Sequence, residues 1–232
     1  MHAFAFDAVH DEIVVTSPLA SAVLTFRGAA SGEEAPIRVI QGPRTQILGI
    51  NDKVSVDPVN NEILAPIRDA ILVFARDARG DVAPKRVLNT EGGPVQVDAA
   101  RNLLFVNPRG SGKMLVFDRA ASGSAKPKAI IEGPKSGMGT VYAFQVYSPK
   151  GWVVAGCYTA AVCAWKVTDN GNVAPRWKIP VKELTGYSPE AIALDPEHKE
   201  LIISAVGPRA GQSRPPSGIM NTVITFSWPE IF

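Results

Sequence analysis

Val56-Asp57-Pro58-Val59-Asn60-Asn61-Glu62-Ile63-Leu64 is a phrase that the chain restates along its length. An apolar residue leads to an Asp, a short turn follows, and a second apolar run begins six residues after the acid. The same spacing joins Phe6-Asp7 to Ile13, Val97-Asp98 to Leu104 and Leu194-Asp195 to Leu201, and Val146-Tyr147 to Val153 keeps it without the acid. A second anchor, an aromatic closing an apolar run, recurs as Phe26, Phe74, Phe117, Trp165 and Phe226. After the first four, Gly follows six residues on (Gly32, Gly80, Gly123, Gly171) and Pro ten residues on (Pro36, Pro84, Pro127, Pro175). Coincidence at two offsets in four copies defines a repeat protein built from one supersecondary unit.

Each unit reads as four strands, a to d. In the second copy Lys53-Val54-Ser55-Val56 alternates with period two, as a half-buried strand does. Glu62-Ile63-Leu64-Ala65 and Ala70-Ile71-Leu72-Val73-Phe74 supply b and c, and Asp77-Ala78-Arg79-Gly80-Asp81 supplies turn chemistry. Pro84-Lys85-Arg86-Val87-Leu88 reads as d, with its Pro at the first position, where a strand tolerates it. Helical periodicity is nowhere evident. Four strands per unit of about 40–50 residues is the blade of a β-propeller. The expectation is an all-β fold, one five-bladed β-propeller domain over 1–232, with blades at 1–48, 49–91, 92–138, 139–188 and 189–232. The repeated Asp then ends strand a and bonds the backbone of its own turn.

The last unit breaks the pattern twice. Its b–c connection, 206–218, is more than twice as long as its counterparts and rich in Gly and Pro, and no d segment follows Phe226. A three-stranded last blade leaves an open edge, and such an edge invites pairing with another chain, so an oligomer through it is one expectation. An upstream segment supplying the fourth strand is the other.

A formal charge of +2 gives no electrostatic footprint for nucleic acid or an anionic membrane. No apolar run reaches the ~20 residues that span a bilayer. Met1-His2-Ala3-Phe4 leads into the first repeat without a basic or long apolar leader, so the chain is expected to be cytosolic, or secreted or periplasmic if a leader precedes it.

The phrase Val54-Ser55-Val56-Asp57-Pro58-Val59-Asn60-Asn61-Glu62-Ile63, followed by Ile71-Leu72-Val73-Phe74 and Gly80-Asp81-Val82-Ala83-Pro84, resembles NHL-type repeat propellers. It is similar to bacterial and fungal propeller proteins that share it over the whole chain. The resemblance implies the fold and leaves function open, because propellers host lactonases, lyases and many non-catalytic binding proteins.

In propellers the d–a and b–c connections share one face, around the channel mouth. That plan gathers Asn51, Asp52, Lys53, Glu91, Thr140, Tyr142, Tyr187 and Glu190 from interblade links, and Arg68, Asp69, Arg109, Tyr158, Arg209 and Arg214 from b–c connections. The favoured reading is a non-catalytic scaffold, with ligand or partner at this mouth and the 206–218 loop, no cofactor, and ligand contacts from Asn51, Asp52, Glu91, Tyr142, Tyr187, Glu190, Arg209 and Arg214. The alternative is a calcium-dependent lactonase or lyase of the propeller type, in which Asn51, Asp52, Glu91 and Glu190 would offer oxygen ligands to a hard cation. His10 and His198 fall in a–b turns, so no Ser–His–Asp triad assembles from the three histidines. Cys157 and Cys163 flank a hairpin turn near Ala160, where either a disulfide or two buried thiols fits. Asn107-Pro108-Arg109-Gly110-Ser111-Gly112-Lys113-Met114 lacks the spacing of a phosphate loop and reads as a Gly-rich hairpin.

Overall fold

The computed structural model describes residues 3–48, 53–139, 143–158, 160–207 and 221–232. Two compact units make up the chain, Met1–Arg109 with Val116–Lys128, and Gly110–Leu115 with Ala129–Phe232. The architecture is a five-bladed β-propeller fold. Its first blade is β1 (Phe4–Asp7), β2 (Glu12–Ser17), β3 (Ala22–Arg27) and β4 (Arg38–Gln41), hydrogen-bonded in that order. The second follows the same order with β5 (Ser55–Asp57), β6 (Glu62–Pro66), β7 (Ala70–Ala75) and β8 (Arg86–Asn89). The third has β9 (Val95–Asp98), β10 (Leu103–Val106), β11 (Lys113–Asp118) and β12 (Ala129–Glu132). The fourth has β13 (Phe144–Tyr147), β14 (Trp152–Cys157), β15 (Ala161–Lys166) and β16 (Trp177–Ile179). The fifth sheet has three strands among the described residues, β17 (Ser188–Asp195), β18 (Glu200–Val206) and β19 (Asn221–Ser227).

Strands b and c form the packed centre of the second, third and fourth blades. Both faces of β6 and β7 are buried, which is why their sequences are nearly continuous apolar runs rather than alternating ones. Val14, Val23, Ile40, Ile63, Leu72 and Phe74 belong to one core in the first unit. In the second unit Trp152, Val154, Val162, Ile192, Leu201 and Ile203 belong to another.

The recurrent residues have distinct jobs. Each repeat Asp turns back on its own hairpin. Asp7 accepts from the amides of Val9 and His10, Asp57 from Asn60, Asp98 from Arg101, and Asp195 from Glu197 and His198. The second carboxylate oxygen takes the side chain three residues on: His10, Asn60, Arg101 and His198 all lie 2.8–2.9 Å from it. The turn position after the Asp is therefore filled by whatever side chain reaches that oxygen. His10 is consequently half-buried rather than a simple exposed turn residue.

The recurrent glycines join neighbouring blades. Gly80, Gly123 and Gly171 form parallel bridges to Ile40, Leu88 and Ile131, the third residue of the preceding blade's d strand. Their amides donate to Val39, Val87 and Ile130 at 2.6–2.7 Å, and each carbonyl accepts an amide two residues further along that strand. These glycines have φ of +71°, +57° and +77°, the left-handed region where a Cβ is strained. The residue after the glycine continues the junction. Asp81 accepts from the amide of Arg44 and Asn172 from Lys135, both at 2.7 Å, in the link that leaves the preceding d strand.

Two local expectations need correction. Strand d opens at Arg86 rather than Pro84, because Pro has no amide to donate and pairing starts with Lys85 N–H on the Val73 carbonyl, at 2.7 Å. A helix also exists: α1 (Val181–Thr185) fills the link between the fourth and fifth blades, closed by Gly186 at φ +79°. Five residues are too few to show a helical period.

Candidate functional site

In the first unit two b–c turns meet one interblade link. Gly92 N–H donates to the Arg68 carbonyl (2.8 Å), and Arg109 N–H donates to the Gly92 carbonyl (3.1 Å). Gly93 sits so close to the third blade's b–c turn that a Cβ there would lie 2.0 Å from the Asn107 carbonyl oxygen. Backbone bonds and glycine contacts thus lock three segments together, and Arg68, Asp69, Glu91 and Arg109 all present exposed side chains from them. The patch is of mixed charge on a rigid base.

A parallel arrangement occurs in the second unit. Met138 bridges Cys157, Tyr158 N–H donates to the Gly137 carbonyl (2.7 Å), and a Cβ on Gly112 would meet the Met138 carbonyl at 2.9 Å. Tyr158 stands 55% exposed above these segments. The Gly-rich stretch around Gly110 and Gly112 joins β10 to β11, as a hairpin connection does.

The interblade links share a hydroxyl device that the repeat analysis does not reveal. Thr45 Oγ1 donates to the Gly42 carbonyl and accepts from Ile47 N–H; Ser136 does the same with Gly133 and Met138. Both hydroxyl residues are fully buried. In the last link Thr185 donates to the Val181 carbonyl and accepts from Tyr187 N–H. The Gly-Pro-x-Thr/Ser phrase of the first and third links is the sequence signal for it.

The other expected ligand residues separate. Tyr187 is 9% exposed and packed in the core with Val162, Ile192 and Ile203, so its ring is a packing element. Glu190 lies inside β17 at a register shift between Pro189 and Ala191, not in a link, because the strand begins at Ser188. Asn51, Asp52, Thr140, Tyr142, Arg209 and Arg214 lie outside the described residues, as does most of the 206–218 loop. Among the described residues, no group of three His, Cys, Asp or Glu is placed to hold a metal ion. Asn51 and Asp52, half of the expected calcium-ligand set, lie outside the described residues, and no step through a cation follows from Glu91 and Glu190 alone.

Cys157 and Cys163 are joined by a disulfide, with Cα atoms 5.9 Å apart. They are diagonal neighbours on the β14–β15 hairpin, since Cys157 faces Ala161 and Cys163 faces Ala155.

The strongest electrostatics lie at the outer ends of the b strands. Glu12 opens β2 and Glu62 opens β6; both are buried, 7% and 4% exposed. Arg86 grips Glu62 through two bonds of 2.6 and 2.7 Å, Lys85 adds one of 3.0 Å, and Arg119 from the next blade adds one of 2.9 Å. Glu12 is held likewise by Arg38 of its own d strand and Arg76 of the next blade. Burial pushes the Glu62 carboxyl up, but the hydrogen bonds and charges of Arg86 and Lys85 outweigh it and hold the group down at about 2. Glu12 is lowered by the same contest, with Arg38 and Arg76 against burial. In the fourth blade Trp152 takes the place of the Glu, and Lys166 lies over its ring, 3.4 Å from the centroid.

No family model matches the chain, and no curated protein matches it in sequence. Solved structures match it in fold, 1227 chains in all, so the fold is too widespread to specify a function. One is a chain of the crystal structure of mitotic checkpoint complex, with a TM-score of 0.61 and 12% identity over 88% of this chain. Another is from Kuenenia stuttgartiensis hydrazine synthase, with a TM-score of 0.67 and 9% identity over 96% of this chain. The chain spans 59% and 60% of the lengths of those two chains.

Proposed function

We propose that this chain is a non-catalytic β-propeller of NHL-type repeats that binds a polar ligand or a protein partner through its b–c turns and interblade links. The observation that carries this reading is the rigid base under Arg68, Asp69, Glu91 and Arg109, where direct backbone bonds fix three segments beneath exposed side chains of both signs. Loops held on such a scaffold suit recognition, because little order is lost when a partner arrives. The recurrent acids support the same reading, since Asp7, Asp57, Asp98, Glu12 and Glu62 are engaged in turns and ion pairs that hold the blades together. The fold neighbours do not choose between binding and catalysis: one belongs to a mitotic checkpoint complex and the other to a hydrazine synthase.

A panel of lactones assayed with calcium, and again with chelator, tests the reading. The expected result is no turnover above the blank and the same thermal midpoint in both buffers. Hydrolysis that disappears with chelator would overturn it.

A further inference from the structure

The chain contains four worked examples of how a blade completes itself, and a fifth blade in which the same positions stand open. On the c strand, Val23, Ile71, Met114 and Val162 occupy equivalent positions three residues before the aromatic anchor, and all are 0% exposed. In three of these copies the register shows what covers them, an aliphatic residue of the d strand: Val23 faces Ile40, Ile71 faces Leu88 and Val162 faces Ile179. Val223 is the fifth copy, and it is 70% exposed. Around it β19 alternates exposed and half-buried residues throughout, whereas β7 and β15 are buried at every position but the last. Among the described residues, β18 is the only strand paired with β19.

Among the described residues the outer backbone edge is equally open. In the four complete blades the carbonyls of Thr25, Val73, Val116 and Ala164 accept from Ile37, Lys85, Lys128 and Arg176 at 2.7–2.8 Å, the first bonds of strand d. Thr225 is the fifth copy of that residue. Because N–H and C=O of one strand residue point to the same side, Thr225 and Val223 both offer their backbone groups outward.

The residue that opens strand b states which side chain a strand paired with β19 should carry. Glu12 is matched by Arg38 and Glu62 by Arg86, each Arg lying two residues before the covering aliphatic. Where strand b opens with Leu103 the d-strand residue is Ala129, and where it opens with Trp152 it is Trp177. The fifth blade opens strand b with Glu200, half-buried and without an ion pair to Lys or Arg among the described residues. Self-pairing of two β19 strands would bring no cation, since Asn221–Ser227 contains none.

From these matches we infer that the edge of β19 receives, from another polypeptide, an extended antiparallel strand of the form Arg-x-(Ile/Leu), its arginine on Glu200 and its aliphatic residue on Val223. Main-chain hydrogen bonds supply affinity in this mode, and the side-chain pockets supply selectivity. The site uses β18 and β19 alone and shares no residue with the patch around Glu91, so either reading can fail without the other.

The chain's own strand d is the probe. A fluorescein-labelled, end-blocked peptide of residues 83–90 (Ala-Pro-Lys-Arg-Val-Leu-Asn-Thr) is titrated with the full chain and followed by anisotropy. The expected result is saturable binding, about tenfold weaker for the peptide in which its arginine is replaced by alanine. In the Glu200→Gln chain the two peptides bind alike. Val223→Lys abolishes binding without moving the thermal midpoint, since that side chain is already in water. No saturation, equal binding of both peptides by the parent chain, or binding that survives Val223→Lys would overturn the assignment. Self-association of the chain abolished by Val223→Lys but undisturbed by the peptide would overturn it too, by giving the edge to a second copy.

Discussion

Glu62 collects Lys85, Arg86 and Arg119 onto one buried carboxylate, whereas Glu200, its counterpart in the fifth blade, has no ion pair to Lys or Arg among the described residues. The two therefore respond differently to one substitution. Glu62→Gln strands two shielded guanidinium groups and is expected to cost about 3 kcal/mol in denaturant unfolding. Glu200→Gln is expected to stay within about 0.5 kcal/mol, because no Lys or Arg pair among the described residues is broken. Equal losses would contradict the comparison. Acid gives a second handle. Folding depresses the Glu62 carboxyl from its ordinary 4.5 to about 2, so its contribution is fully present above pH 4.5 and is lost as the pH falls through about 2. Stability measured across that interval should fall less steeply in Glu62→Gln than in the parent, and parallel slopes would refute the ion-pair account. At the other end of the scale, the exposed His198 is raised by its hydrogen bond to Asp195. Its contribution is present below the ordinary value of 6.5 and lost as the pH rises through the raised one.

At the level of strands and turns, what the sequence disclosed was what local geometry dictates. The Asp-to-apolar spacing is legible because the acid bonds amides two and three residues away. The Gly and Pro offsets are legible because a left-handed φ and a missing amide admit few substitutes. Contacts set by sheet register were hidden: Glu12 meets Arg38 and Arg76, and Glu62 meets Arg86 and Arg119, across separations that no periodicity marks. Tyr187 lies in a link, as its position implies, but its ring turns into the core rather than outward, and α1 before it is too short to announce itself. The b–c turns and interblade links were legible as connections but not as contacts. Gly80 tests the junction directly. A Cβ there meets nothing within 4 Å, so the strain of Gly80→Ala comes from its φ of +71° alone. The expected cost is about 1 kcal/mol, and smaller for Gly80→Asn, which tolerates that region. Equal stability of Gly80→Ala and the parent would contradict the bridge geometry. The β14–β15 disulfide closes a short loop, with a separation of six residues, so reduction should cost about 2 kcal/mol. Denatured, unreduced protein should show no reactive thiol, and two would refute the bridge.

For the molecule as a whole, repetition builds the fold and its exceptions carry the functional readings. Four blades have the same four-strand order and the fifth has three strands among the described residues. The exposed charges around Glu91 and the edge of β19 are built from different residues, the first proposed for a ligand or partner at the turns and the second for an added strand. Residue-resolved hydrogen exchange on the free chain, comparing the outward amides of the five c strands, tests the incomplete blade most directly. Val23, Ile71 and Val162, covered by strand d, are expected to exchange slowly, and Val223 and Thr225 orders of magnitude faster, with slowing on addition of the arginine-bearing peptide. Protection of Val223 and Thr225 in the free chain equal to that of Ile71 would contradict the account.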